Sequence, residues 1–528
     1  MNIGEFVESA VMKNPDKIYL YFRDQEISYK DFNHLTNKVA HQFQNIGIQK
    51  GDAVALMLPM CPQFLYSWIA LNKIGAIEVP LNPAFKEREA YYVLENSEAK
   101  AIVVHSDCLG VINNIKKDLP AMKQVIVVGD GMNSGGILFA EWLRHTNEET
   151  RPISIPDDHP AAFIYSSGTT GFPKGVILSH RSWVLAGQSW AYMIGVRPDD
   201  RIITPNPLFH INSQCYAVMS TLAAGASLIL MERFSASQLW DQTRHYGATV
   251  LLLTATVLPW IWSQPPKEDD ASNPVRVLEA GGFSGGNYYD FEKRFGLKLH
   301  TLYSLSEAPL CVMAPRDPRL RKPTPAVGIP AEHPDPSIKN EVKVVNEAGE
   351  ELGANQPGEI IVRNPAVMIG YYKDPERTVE AKRNGWIYTG DIGYLDESKY
   401  LYFVGRKKEV LRRRGELIDP VEIEMVINQH PKIESSAVVG VPSGFAVAEE
   451  EIKAYLQLKT GENCPPQEIW EWCLNSLAPF KVPRYLEFID EIPRTATWKI
   501  QKNLLKAAKK DLSEGCFDQQ KHYRKSSL

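Results

Sequence analysis

At residues 164–176 the chain reads IYSSGTTGFPKGV. Phe163, Ile164 and Tyr165 lead in as a short buried strand would. Ser166, Ser167, Thr169 and Thr170 then crowd around Gly168 and Gly171, and Lys174 follows three residues on. Glycine reaches backbone conformations that other residues resist, so several amide N–H groups can converge on one point. Hydroxyls add donors and the lysine adds a charge, a collection suited to a polyphosphate. The same composition also marks ordinary loops. A P-loop of the G-x-x-x-x-G-K-[ST] type is excluded, because Gly175 stands where that motif needs a Mg²⁺-binding hydroxyl.

Upstream, residues 26–46 place Phe32, Leu35, Val39 and Phe43 at spacings of three, four and four, the pattern of an amphipathic helix. Short β-rich runs at 52–58, 76–79, 101–104 and 124–128 alternate with helical stretches at 62–74 and 86–96. That alternation predicts an α/β fold with parallel sheet. Downstream, 180–192 is helical, and 421–429, 436–441 and 452–459 form a smaller helix-and-strand unit. Residues 511–528 are polar and expected to fray.

The chain has 528 residues, room for about three to four domain-sized units. A net charge of −5 gives no basic field for nucleic acid. Seven scattered cysteines without a CxxC pair argue against a disulfide framework or a cysteine metal site, and fit a reducing cytosol. The start carries Glu5 and Glu8 where a signal peptide needs apolar residues. The longest apolar stretches, 217–231 and 249–262, are shorter than the ~20 residues of a membrane span and read as buried core. A cytoplasmic location without transmembrane segments is the expectation.

Further motifs follow the loop. Pro207-Leu208-Phe209-His210-Ile211-Asn212 places a histidine among apolar residues, where a core role is the ordinary reading. Gly282-Phe283-Ser284-Gly285-Gly286 satisfies G-x-S-x-G between a strand-like and a helix-like run, the context of a hydrolase nucleophile elbow. No HGGG-type oxyanion segment accompanies it. Tyr303-Ser304-Leu305-Ser306-Glu307, Trp386-Ile387-Tyr388-Thr389-Gly390-Asp391-Ile392-Gly393 and Gly405-Arg406-Lys407-Lys408-Glu409 come next. The run 406–414 holds six basic residues in nine, by itself a solvated basic face. Pro493-Arg494-Thr495-Ala496-Thr497-Trp498-Lys499 lies near the end.

In this order, and over nearly the whole chain, these motifs resemble the signature set of the adenylate-forming superfamily: acyl-CoA synthetases, peptide-synthetase adenylation domains and luciferases. The stretch PLFHINSQCYA is similar to the carnitine/crotonobetaine CoA ligase branch. The resemblance implies ATP and AMP binding by Ser166, Ser167, Gly168, Thr169, Thr170, Gly171 and Lys174, with Gly281 and Gly282 letting adenine approach the backbone. It implies that Tyr303 stacks on adenine, Ser306 contacts the α-phosphate, Asp391 and Arg406 hold the ribose, and Glu307 holds Mg²⁺. His210 would stand between acyl pocket and nucleotide. Lys499 would bridge substrate carboxylate and α-phosphate, Lys408 would be a hinge, and Arg412, Arg414 and Gly415 would line the thiol tunnel. The chain departs from the family pattern at Ser304, Arg414 and Trp498, where glycine is usual.

The implied fold is a large N-terminal α/β region with parallel sheets (1–404) and a small mobile C-terminal α+β lid (405–528). The implied activity is conversion of a small carboxylic acid to acyl-AMP with ATP and Mg²⁺, then transfer to CoA. Arg414 and Leu417 resemble adenylation domains that load a carrier-protein thiol, the second reading. A nucleotide-binding protein without ligase activity is the third, resting on Trp498.

Overall fold

The computed structural model describes all residues except 131–135, 146, 149–152, 167–172, 282–287, 318–321, 408, 414–415, 443–449, 495–499, 510 and 520–528, and the side chains of Ser166, Thr256, Arg412, Glu416 and Leu417. Two large sheets dominate the N-terminal region. In the eight-stranded sheet, Ala53–Met57, Ile77–Pro80, Ala101–His105 and Gln124–Val128 run parallel, as the alternation predicted. Pro160–Ser166 joins them in parallel through Ile77–Pro80. In the nine-stranded sheet, Arg201–Thr204, Val250–Thr254, Val277–Gly281 and Lys298–Leu305 are parallel neighbours. A five-stranded antiparallel sheet includes Gly358–Arg363, Trp386–Leu395 and Leu401–Arg406. The smaller C-terminal domain is built on Ile433–Pro442, Glu450–Leu458 and Tyr485–Phe488, with helices Pro420–Ile427 and Pro466–Ser476.

The main core lies where the two large sheets meet the helices Pro62–Lys73 and His180–Ile194. Trp68, Trp183 and Trp190 are fully buried there. The helix His180–Ile194 starts because the Ser179 hydroxyl accepts from the Ser182 N–H. It stops at Gly195, whose φ of +66° is left-handed. Gly187 is needed for packing: a Cβ there would sit 2.4 Å from Met219 Cβ. Met219 ends Ser213–Met219, a seven-residue π-helix. Such segments are rare and concentrate at functional sites.

Two local expectations are corrected, and one unassigned stretch gains an element. The helix read at 26–46 begins later, as Tyr29–Asn45. Gln25–Ser28 pairs antiparallel with Ile18–Phe22, and the Ser28 side chain accepts from the Asp31 N–H to start the helix. Residues 511–519 do not fray as a block: Phe517–Asp518 pairs with Tyr485–Phe488, and Asp518 accepts from Arg484 Nε at 3.2 Å. Residues 174–179, to which the sequence reading assigns no element, form the strand Lys174–Ser179. Among the described residues, no helix is long and apolar enough to cross a membrane.

Candidate active site

Ser166, Gly281 and Tyr303 stand at or near the carboxyl ends of parallel strands, where open α/β sheets bind ligands. The strands Pro160–Ser166 and Lys174–Ser179 pair antiparallel, with Tyr165 opposite Gly175 and Ser166 opposite Lys174, so both flanks of the 164–176 motif are fixed. In the other large sheet, Gly281 ends its strand beside Leu302, the residue before Tyr303. Leu305 pairs with Ala308 across the return of the chain, which holds Ser306 and Glu307 at a two-residue turn.

Tyr303, Asp391 and Arg406, 88 and 15 residues apart in sequence, meet. The Tyr303 hydroxyl donates to Asp391 Oδ2 at 2.7 Å. Arg406 Nε lies 2.9 Å from Asp391 Oδ1. Arg406 also donates to the Thr389 carbonyl, and the Asp391 N–H donates to the Thr389 hydroxyl. The strand register explains the meeting, since Asp391 and Arg406 are direct antiparallel partners. The Asp391 side chain is 2% exposed and the Arg406 side chain 43%, so the pair presents an open cationic edge over a buried carboxylate. Burial, and next the Asp391 charge, push the Tyr303 phenol well above its ordinary pKa, so it remains a donor.

A second chain of contacts runs through a residue to which the sequence assigned no role. Tyr371 donates from its hydroxyl to Glu307 Oε1 at 2.8 Å. Its ring lies under Lys174, with Nζ 4.9 Å from the centroid. Gly370–Tyr371 pairs with Lys174–Ser179, which puts the tyrosine between the loop flank and the Ser306–Glu307 turn. The run Gly370-Tyr371-Tyr372 was visible in the sequence, but its pairing partner nearly two hundred residues away was not. Glu307 is half-buried. Its carboxylate is a hard oxygen donor of the type Mg²⁺ prefers, which fits a metal-holding role.

His210 stands beyond the end of Arg201–Thr204 on a braced loop. Asn206 Nδ2 donates to Asn212 Oδ1 at 2.9 Å, Ser213 Oγ to the Asn206 carbonyl at 2.7 Å, and Gln214 Nε2 to the Leu208 carbonyl at 2.8 Å. The His210 ring is exposed to solvent yet sits in a recess of surrounding chain. That enclosure lowers its pKa to about 4, so the ring is neutral near pH 7. The ring lies against that of Phe209, at 4.6 Å between centroids.

Ser167, Gly168, Thr169, Thr170, Gly171, Gly282, Lys408, Arg414, Gly415, Trp498 and Lys499 lie outside the described residues, as do the side chains of Ser166 and Arg412. The Ser284 of the G-x-S-x-G match is among them. The flanks of the last segment are described: Arg494 and Ile500 pair across it.

Fold and site define a class, the α/β enzymes that bind a nucleotide to activate an acid. The chain belongs to the AMP-binding enzyme family, whose model matches residues 7–372, while the AMP-binding enzyme C-terminal domain matches 422–499. Crotonobetaine/carnitine–CoA ligases of Salmonella heidelberg strain SL476 and Salmonella typhimurium strain LT2 are each 33% identical over 506 residues, covering 93% of this chain and 96% of the relative. The ATP-bound structure of MatB from Rhodopseudomonas palustris superposes with a TM-score of 0.85 at 26% identity, over 97% of this chain and 100% of that one. The anthranilate CoA ligase AuaEII, in complex with anthranoyl-AMP, shares the fold with a TM-score of 0.86 at 24% identity, over 96% and 97%. The chain is thus an AMP-forming acid–thiol ligase of the acyl-CoA synthetase type.

Proposed function

We propose that this ligase activates a small carboxylic acid with Mg·ATP in the cytoplasm and delivers the acyl group to CoA, with the residues named above in the following roles. A carboxylate is a poor acylating agent because its leaving group is poor. Attack of a carboxylate oxygen on the α-phosphorus forms a new P–O bond, breaks the bond to pyrophosphate and yields acyl-AMP. The thiol sulfur then attacks the acyl carbon, AMP leaves, and the thiol proton passes to solvent.

The Tyr303–Asp391–Arg406 cluster carries this reading. It offers a ring face for adenine and a carboxylate beside a guanidinium for the ribose hydroxyls. Gly281 and Gly282 would let adenine approach the backbone. Ser166, Ser167, Gly168, Thr169, Thr170, Gly171 and Lys174 hold the outer phosphates, and Ser306 the α-phosphate. Glu307, oriented by Tyr371, would hold Mg²⁺, which offsets phosphate charge as the bond to pyrophosphate breaks. Neutral His210 separates acyl group from nucleotide without adding charge. Lys499 reduces the repulsion between the two anionic reactants. The chain divides near 404/405, within the strand Leu401–Arg406, and Lys408 just beyond it is the hinge that lets 405–528 serve both steps. Arg412, Arg414 and Gly415 line the thiol's path.

The 33% identical relatives are CoA ligases, which favours CoA as acceptor. Arg414 and Leu417 favour a carrier-protein thiol as the second reading. Lys499→Ala tests the chemistry. Removing one such transition-state contact costs about 10²–10³ in rate. The variant should therefore keep its fold and its ATP affinity while pyrophosphate release falls by that factor. Wild-type release would remove Lys499 from the mechanism.

A further inference from the structure

Asp391 meets Tyr303 and Arg406 at a place where its strand leaves the regular ladder. Between Gly358–Arg363 and Trp386–Leu395, Glu359 pairs with Ile392, and Ile361 pairs with Tyr388. Between those rungs Ile360 alone faces Thr389, Gly390 and Asp391. Extra residues on one strand make a bulge, and a bulge re-aims side chains beside a site. The side chain re-aimed here is the buried Asp391 carboxylate.

The bulge is held from two sides. The Thr389 hydroxyl donates to the Ile360 carbonyl at 2.7 Å and accepts the Asp391 N–H at 3.1 Å. Gly390, at the crest, has a φ of +69°. A Cβ there would meet nothing within 4 Å, so the glycine serves the left-handed backbone and not close packing. From the other side, Glu359 Oε1 accepts the Gly390 N–H at 3.1 Å. Glu359 Oε2 accepts from Lys407 Nζ at 2.9 Å, and the Lys407 N–H donates to the Gly390 carbonyl at 2.9 Å.

Glu359 thus bonds to the residue before Asp391 and to the residue after Arg406. The two bonds differ in weight. The Lys407 side chain is 47% exposed, and solvent screens such an ion pair to little net worth. The Glu359 side chain is only 15% exposed, and a backbone N–H given to a largely withdrawn carboxylate is harder for water to replace. The bond to Gly390 is therefore the one that fixes the backbone beside Asp391.

We propose that Glu359 is a positioning residue for the nucleotide: by accepting the Gly390 N–H it sets the bulge that aims Asp391 at the ribose hydroxyls. Glu359 acts through the backbone and not by touching the nucleotide. The inference rests on the ribose role of Asp391 in the ligase reading and adds the residue that sets it.

The test measures Kd for Mg·ATP and for Mg·2′,3′-dideoxy-ATP by calorimetry, on the full chain and without any acid. The two probes differ only in the ribose hydroxyls, so the ratio of their Kd values reads the contact to Asp391. Hydrogen bonds to a charged group make that ratio about 10- to 150-fold in favour of ATP in the wild type. Glu359→Ala takes the acceptor from the Gly390 N–H and should bring the ratio down about tenfold, through weaker ATP binding with dideoxy-ATP nearly unchanged. Glu359→Gln keeps an oxygen at the same reach and should restore most of the ratio. Lys407→Met removes only the ion pair and should leave the ratio within about twofold. Glu359→Asp keeps the charge but draws the acceptor back by one methylene. It should lower the ratio as well, and it is read in place of Glu359→Ala if that variant does not fold. A wild-type ratio in folded Glu359→Ala or Glu359→Asp overturns the inference and leaves the ribose role of Asp391 standing. So does a ratio lost equally in Glu359→Gln and Lys407→Met, because the ion pair would then be what matters. Equal binding of the two nucleotides by the wild type overturns the ribose role itself, and this inference with it.

Discussion

Tyr303→Phe isolates one bond in the nucleotide site. The ring proposed to face adenine remains, and only the hydroxyl that donates to Asp391 Oδ2 at 2.7 Å is lost. Asp391 is almost wholly withdrawn from water, so solvent does not replace the missing donor. Hydrogen bonds to charged groups contribute about 1.5–3 kcal/mol. Arg406 still holds the other oxygen at 2.9 Å, which keeps the carboxylate in place but free to turn about that contact. If that orientation is what the ribose reads, the loss appears in nucleotide binding. At 1.4 kcal/mol per decade the KM for ATP should rise about 10- to 150-fold. Because the contact is made equally in ground and transition states, kcat should stay within about threefold. The assay is pyrophosphate release against ATP concentration, with acid saturating and folding checked by circular dichroism. A KM for ATP within twofold of wild type, in folded protein, would refute the assignment of Asp391 to the ribose. A fall in kcat alone would move Tyr303 from binding to chemistry.

Two further outcomes follow from particular residues. Lys408→Pro restricts φ at the proposed hinge, so thioester formation should slow more than acyl-AMP formation in single-turnover assays; equal slowing of both steps would remove the hinge. His180 is fully buried, accepts the Ile3 N–H at Nδ1 (3.3 Å), and has its pKa lowered to about 3 by desolvation. Above pH 6.5 the imidazole is neutral in both folded and unfolded chains and this stability is fully present. As pH falls below 6.5 the unfolded chain binds a proton that the folded chain refuses. Stability is therefore lost, by about 2 kcal/mol between pH 6.5 and pH 5. His180→Gln should flatten that part of a denaturant-midpoint-against-pH curve, and an unchanged slope would mean that His180 is not a source of the acid sensitivity.

Much of the site was legible because its chemistry is written in short, contiguous motifs. Tyr303, Ser306 and Glu307 lie within five residues, at the end of one strand and on the tight turn that follows it, so reading the motif was close to reading the place. Asp391 and Arg406 were legible singly, and their pairing follows from an antiparallel register that spacing alone does not give. Tyr371 escaped because its role depends on two partners, Glu307 and Lys174, brought to it by folding. The strand Lys174–Ser179 went unassigned because KGVILS gives an apolar run too short to show a period. The end of the chain was read as frayed from its polarity. The Arg484–Asp518 ion pair holds the short strand Phe517–Asp518, and composition does not reveal such pairs.

The most direct test of the two-step account is ATP-dependent pyrophosphate release over short, long, aryl, amino and quaternary-ammonium acids, each with and without CoA, and with products identified by mass. The account predicts at least one acid that releases pyrophosphate and forms acyl-AMP without CoA, then yields AMP and the CoA thioester when CoA is added. Acyl-AMP without any thioester would transfer the second step to a carrier-protein thiol. ATP binding with no pyrophosphate release from any acid would contradict the account, and would make Trp498→Gly the variant to examine.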